Sequence, residues 1–197
     1  VTGMVGSHLL DKCLENIDDY NYIVCACRWR SSDENIGHIY SNKAVKEKKI
    51  IFEHMDLRDP LSVSSLLSKY ETFDHIYHLA AQSFPQVSFT SPIETFETNI
   101  IGTYNLLHFL KDKNPDSKVH VCSSSEVFGR VPKEYIPINE DVPFHPASPY
   151  AISKVGTDLI GKYFYDAYGL KTFCTRMFTH TGPVSYTHLR AHETEAD

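Results

Sequence analysis

The chain lacks the marks of several large protein classes. No Lys- or Arg-rich block occurs, and 19 basic residues stand against 25 acidic ones, a net charge of −6. A nucleic-acid partner is therefore not expected, because phosphate backbones are met by clustered cations. No apolar run approaches the ~18 residues that mark a membrane span, so no membrane partner is expected either. The opening Val1-Thr2-Gly3 has neither a charged n-region nor an apolar h-region, and no secretory leader is expected at this end. The five cysteines (Cys13, Cys25, Cys27, Cys122, Cys174) are odd in number and form no Cys-x-x-Cys pair. They read as reduced thiols of a cytoplasmic protein, with Cys25 and Cys27 as small buried side chains. What is present, 42% hydrophobic and 22% charged residues in a chain of 197, is globular and excludes a disordered chain. The length suits one domain, or one domain and part of another.

Both ends look clipped. Val184 to Thr194 spells VSYTHLRAHET, which resembles the translation of a transposon-type sequencing adapter. Residues 184–197 are therefore set aside, and the His-x-x-x-His spacing of His188 and His192 goes with them. No metal site is expected. At the front, Gly3-Met4-Val5-Gly6 opens an apolar-periodic run through Leu9, Leu10, Cys13 and Leu14, a helical period. It resembles the second half of a Gly-x-x-Gly-x-x-Gly phosphate loop whose first glycine and preceding strand would lie ahead of Val1.

Between the ends, strands alternate with helices. Tyr22 to Cys27 is a short continuous apolar run, as a strand buried on both faces would be. Lys49–Glu53, His75–Ala80, Lys118–Cys122 and Thr172–Arg176 read as further strands. Leu61–Tyr70 and Ile93–Lys111 have helical spacing. Pro149–Tyr168 is a long helix, with Ser148 placed to cap it, Pro149 in its first turn and Gly169 ending it. Phe128 to Ala147 is Pro-rich and aperiodic and reads as a long surface loop. The pattern predicts α/β architecture with a doubly wound parallel sheet, the Rossmann fold, with its first strand missing.

In such a sheet ligands sit beyond the carboxyl ends of the strands. There Gly3 and Gly6 open a helix whose N–H groups and dipole can hold a pyrophosphate. Arg28, Arg30, Ser31 and Ser32 follow the Tyr22–Cys27 strand, with no Asp or Glu to take a ribose 2′-hydroxyl. Guanidinium groups there suit a 2′-phosphate instead, so the expected cofactor is NADP. Trp29, the single tryptophan, reads as a cover for the sheet edge. Asp56 and Leu57 are placed to contact an adenine. Leu79-Ala80-Ala81-Gln82-Ser83 is small enough for close ligand approach. Ser123-Ser124-Ser125-Glu126 follows the next strand, and Tyr150 and Lys154 share one helix face four residues apart. An ammonium beside a phenol favours the phenolate, which would bring Tyr150 below its ordinary value of ~10 and make it a base.

From Val1 to Pro183 these motifs, in this order and spacing, resemble the extended short-chain dehydrogenase/reductase (NAD-dependent epimerase/dehydratase) family. RWRSSDENIGHIY, VSFTSP, SSSEVFG, HPASPYAISK and FTHTGP are most similar to segments of its GDP-mannose 4,6-dehydratase branch. The resemblance implies an NADP-binding Rossmann domain over residues 1–183, incomplete at both ends, and a smaller substrate domain absent from this chain. It implies a lyase in the full-length parent, a homo-oligomer acting on a nucleotide sugar such as GDP-mannose, with this piece inactive on its own. Carried over by position, Ser124 falls on the branch's catalytic Thr, Glu126 on its catalytic Glu, and Tyr150 and Lys154 on its Tyr and Lys. Lys154 and His180 fall on cofactor contacts. Ser124 keeps the hydroxyl of the Thr it replaces. Thr179 and Gly182 depart from the branch's Asn-His-Glu-Ser-Pro run, and FTHTGP also resembles GDP-4-keto-6-deoxymannose reductases and sugar epimerases. Those two activities, a non-catalytic nucleotide-binding protein and an inactive fragment stand as alternatives.

Overall fold

The structure, a computed structural model, describes residues 1–180; the tail from Val184 lies outside the described residues. The described residues divide into two compact units, Val1–Met55 with Thr179 and His180, and Asp56–Phe178.

In the first unit, β1 (Ile23–Cys27) and β2 (Ile50–His54) pair in parallel from Ile23↔Ile50 to Cys27↔His54. α1 (Met4–Glu15) precedes β1 and buries Gly6, Ser7 and Leu10. Leu10, Cys25, Ile36, Ile39, Ala44 and Ile50 form the core. The crossover from β1 to β2 holds a 3₁₀ turn (Gly37–Ile39) and a one-turn α2 (Lys43–Lys46), which the apolar pattern does not reveal. Its N-cap does: the Asn42 side chain accepts the Ala44 N–H at 2.9 Å. Cys25 is fully buried as expected, Cys27 only partly, and all five cysteines are free thiols.

In the second unit β3 (His75–His78), β4 (Lys118–Cys122) and β5 (Thr172–Thr175) form a parallel sheet in that order. Among the described residues β1 pairs with β2 alone, and β3 with β4 alone. β3 stops at His78, so Leu79 and Ala80 already belong to the loop beyond it. Five helices surround the sheet: α3 (Pro60–Ser68), α4 (Pro85–Thr90), α5 (Pro92–Phe96), α6 (Gly102–Lys113) and α7 (Pro149–Tyr168). The helix expected over Ile93–Lys111 is present with one irregularity. Between α5 and α6, Glu97–Ile101 widens into a π turn, and the Gly102 N–H reaches back to the Glu97 carbonyl.

α7 forms as its ends dictate. Pro149 fills the first position, Ser148 accepts the Ala151 N–H at 3.0 Å, and Gly169 closes the helix in the left-handed conformation (φ 68°). The Phe128–Ala147 segment is more than a surface loop. Val142 is buried against Val127 and Phe128, with Ile138 and Phe144 packed around them. No helix of the described residues is long and apolar enough to cross a membrane.

Candidate active site

The first unit opens on an uncapped helix entrance. The first helical bond of α1 runs from the Ser7 N–H to the Gly3 carbonyl (2.9 Å), so the N–H groups before it have no helical partner. No side chain caps Gly3, and the first turn carries no acidic residue. A Cβ at Gly3 would meet nothing within 4 Å, whereas one at Gly6 would stand 2.8 Å from the Val1 Cα. Gly6 thus lets the helix sit close to the preceding backbone, and Gly3 leaves the helix entrance open. Asn35 donates to the Thr2 carbonyl at 2.9 Å and ties the loop beyond β1 to this entrance. In that loop Ser31 N–H closes a turn on the Arg28 carbonyl (3.1 Å). Arg28 and Arg30 are exposed, and among the described residues their guanidinium groups have no hydrogen-bond or ion-pair partner. Trp29 covers no sheet edge: it is 76% exposed, and among the described residues the one ring it meets is His54, edge-on at 5.5 Å. An uncapped helix entrance and two free guanidinium groups are the donor set that a phosphorylated dinucleotide needs, so the residues fit that group.

In the second unit, the end of β4 and the start of α7 bring Ser124, Glu126, Tyr150 and Lys154 together. Ser124 accepts the Glu126 N–H at 3.2 Å and starts a 3₁₀ turn, Ser125–Phe128. Ser123 donates to the Lys154 carbonyl at 3.2 Å, and the Lys154 ammonium donates to the Cys122 carbonyl at 2.8 Å. These bonds lock the helix to the strand end.

Tyr150 corrects the expectation about its acidity. Burial raises the phenol above its ordinary value of 10.0; the Ser124 side chain pulls it back, and Cys122 and Glu126 push it further up. Lys154 is not among the groups that shift it: the ammonium stands over the ring, 6.0 Å from its centroid, and donates to the Cys122 carbonyl. Burial instead lowers Lys154 below 10.5. Glu126 is exposed and lines an open hollow of about 420 Å³ with Gly129, Arg130, Ile138 and Phe178.

The other candidates are less uniform. Asp56 grips Arg58 through both carboxylate oxygens (3.2 and 2.8 Å), and the Leu57 side chain is buried, which leaves its backbone as the contact surface. In Leu79–Ser83, the buried Gln82 Oε1 has no hydrogen-bond partner among the described residues. His180 is the last described residue.

Three groups escaped sequence reasoning. Asn99, in the π turn, is 1% exposed; its side chain accepts the Gln82 N–H (2.8 Å) and donates to the Gln82 carbonyl (3.0 Å) and Ser153 Oγ (2.8 Å). It joins the loop after β3 to the helix that carries Tyr150. Ser88, fully buried in α4, accepts the Tyr150 N–H at 3.1 Å, which would otherwise be an orphan donor of α7. Arg176 pairs with the nearly buried Asp158 of α7 through two bonds (2.9 and 3.1 Å). It donates to the Glu140 carbonyl (2.8 Å) and stacks over Phe128 and Phe144, 5.5 and 4.7 Å from their centroids. The turn bearing Glu126 is thereby clamped onto α7. The available signal was Asp158 itself, a carboxylate four residues past Lys154 on the buried face.

A family model described as GDP-mannose 4,6 dehydratase matches residues 1–193. The chain belongs to the GDP-mannose 4,6 dehydratase family. A GDP-mannose 4,6-dehydratase of Sinorhizobium fredii is 32% identical over 93% of this chain and 52% of its own length. The solved dTDP-glucose 4,6-dehydratase DesIV of Streptomyces venezuelae, with NAD and TYD bound, superimposes with a TM-score of 0.79 at 27% identity, over 92% of this chain and 55% of its own. RMD of Pseudomonas aeruginosa, complexed with NADPH, gives 0.61 at 31% identity, over 67% of this chain and 46% of its own. The chain thus spans about half the length of these relatives. Their likeness also establishes the α/β, Rossmann-like class of the fold.

Proposed function

We propose that the protein containing this chain is a nucleotide-sugar 4,6-dehydratase that takes GDP-mannose to GDP-4-keto-6-deoxymannose with bound NADP. The observation that carries the reading is the second unit's arrangement. Tyr150 and Ser124 stand side by side, Lys154 is pinned to the strand end, and Glu126 is free on an open hollow two residues from Ser124. The family match and the dehydratases among its relatives support the same reaction class.

Gly3, Gly6, Arg28, Arg30 and Ser31 of the first unit would hold NADP, as would Asp56, Leu57, Leu79–Ser83 and Lys154 of the second and His180. When bound it supplies the acceptor and later the donor of hydride, and a cationic ring that favours a phenolate. Tyr150 takes the proton of the sugar 4-hydroxyl, and Ser124 shares a hydrogen bond with that oxygen. The resulting 4-ketone makes the C5 proton acidic. Glu126 removes it, the 6-hydroxyl departs as water on a proton from a group near Glu126, and the proton held by Glu126 returns to C5 as C6 is reduced. Lys154, buried and bonded to Cys122, keeps positive charge beneath the reacting phenol. A reductase or 4-epimerase needs no base at C5, so an exposed Glu126 on the hollow favours dehydration.

The test uses a protein of the family's full length. Glu126→Gln should abolish release of the 4-keto-6-deoxy product and the wash-in of solvent deuterium at C5, while Tyr150→Phe should stop oxidation at C4. Dehydration by Glu126→Gln at near the parent rate would overturn the assignment.

A further inference from the structure

Trp29 has no packing explanation. Its indole is 76% exposed, far more than its apolar surface favours, and among the described residues its one ring contact is the edge of His54 at 5.5 Å and 69°. Among the described residues no ring lies on either broad face. It stands between the exposed Arg28 and Arg30, immediately beyond the carboxyl end of β1. The Asn35–Thr2 bond keeps this loop at the entrance of α1, where a diphosphate would be received. Asp33, the nearest acid of the loop, is engaged by the Tyr40 hydroxyl. The loop therefore offers two cations with a flat aromatic surface between them, next to an uncapped helix entrance. That combination recognises a planar base whose ribose bears a phosphate.

We infer that Trp29, steadied by the edge of His54, is the platform on which the adenine of a 2′-phosphorylated dinucleotide stacks, with Arg28 and Arg30 on the phosphate beside it. The inference rests on the dinucleotide reading above and deepens it. Stacking acts on the base and the guanidinium groups act on the 2′-phosphate, so the two contributions separate experimentally. An indole face serves any purine; the flanking cations select the adenine end of a phosphorylated dinucleotide over a guanine nucleotide sugar.

Trp29 is the single tryptophan of the chain, so its emission reports this loop alone. A protein of the family's full length carrying this chain, with any tryptophan outside it replaced by phenylalanine, is titrated with NADP, NAD, 2′,5′-ADP, nicotinamide mononucleotide and GDP, with calorimetry in parallel. Saturable quenching is expected with NADP, NAD and 2′,5′-ADP, and none with nicotinamide mononucleotide or GDP. Trp29→Ala should weaken NADP and NAD alike by about tenfold, within the range for base–aromatic stacking, and Trp29→Phe should restore most of the loss. Arg28→Ala should act on NADP alone. Calorimetric binding of NADP with unchanged emission, or unchanged affinity in Trp29→Ala, would overturn the platform and leave the dinucleotide reading intact. Quenching by GDP equal to that by 2′,5′-ADP would overturn the assignment to the cofactor. No calorimetric binding of any dinucleotide would overturn both readings together.

Discussion

The two units treat their polar groups in opposite ways. In Asp56–Phe178 the polar side chains around the reacting residues are buried and bonded to one another: Asn99 to Gln82 and Ser153, Ser88 to the Tyr150 N–H, Asp158 to Arg176. In Val1–Met55 the core is small and apolar, and the cations beyond β1 stand in water without partners among the described residues. Groups that move protons must hold their geometry before substrate arrives, and buried hydrogen bonds supply that rigidity. Groups that grip a ligand's phosphate keep their donors unspent until the anion comes. If this contrast is right, damage in the second unit should register as lost stability, and damage at the first unit's loop as lost ligand affinity.

The largest effect is expected at the Asp158–Arg176 clamp. Arg176→Met leaves a carboxylate that is 6% exposed without its partner, which costs about 3–5 kcal/mol for a buried pair. Urea unfolding at unchanged m-value should show it, and Asp158→Leu in the same chain should recover much of the loss. A single-variant loss under about 1 kcal/mol would mean that the clamp is a surface pair. Next comes Gly129, at φ 55° and ψ −133°, where an added Cβ would lie 1.9 Å from the His145 carbonyl oxygen. Gly129→Ala should cost about 2–3 kcal/mol through strain and overlap, read as a fall in the unfolding midpoint. A neutral outcome would show that the Glu126 turn is not fixed by its return segment.

A smaller effect depends on pH. His78 is fully buried, and desolvation first, then the Lys154 charge, lowers it from 6.5 to about 3. Thr103 spends its hydroxyl proton on the Asn99 carbonyl (2.6 Å), so it accepts from His78 Nε2–H (2.8 Å), and desolvation keeps the imidazole neutral. Below pH 6.5 the unfolded chain binds a proton that the folded chain refuses. Stability is full above 6.5 and falls as pH drops towards 3, by about 1.4 kcal/mol per pH unit. His120, also lowered by burial, adds a slope of the same sign. The parent minus His78→Gln difference isolates the larger one; a difference flat between pH 7 and 5 would contradict the buried neutral imidazole.

The same contrast explains what could be read from the sequence. Hydrophobic period and caps mark α7 from Pro149 to Tyr168 and β4 from Lys118 to Cys122, because burial and end chemistry are local properties. The strand-end residues were legible too, since a parallel sheet puts ligands there. The π turn at Glu97–Ile101, the bond from Ser88 to α7 and the Arg176 clamp were not. Each depends on a partner far along the chain, 54 residues away for Asn99 and Ser153. The sign of the Tyr150 shift was missed for a related reason. Tyr-x-x-x-Lys spacing gives proximity along the helix, but burial and the competing Cys122 carbonyl decide the charge.

The claim that the first unit's free cations await a phosphate is tested most directly by calorimetry of NADP and NAD with the parent chain and with Arg28→Ala. The account predicts about a tenfold loss for NADP, the scale of one charge-assisted hydrogen bond, with NAD nearly unchanged. An equal loss for both cofactors, or none for NADP, would contradict it.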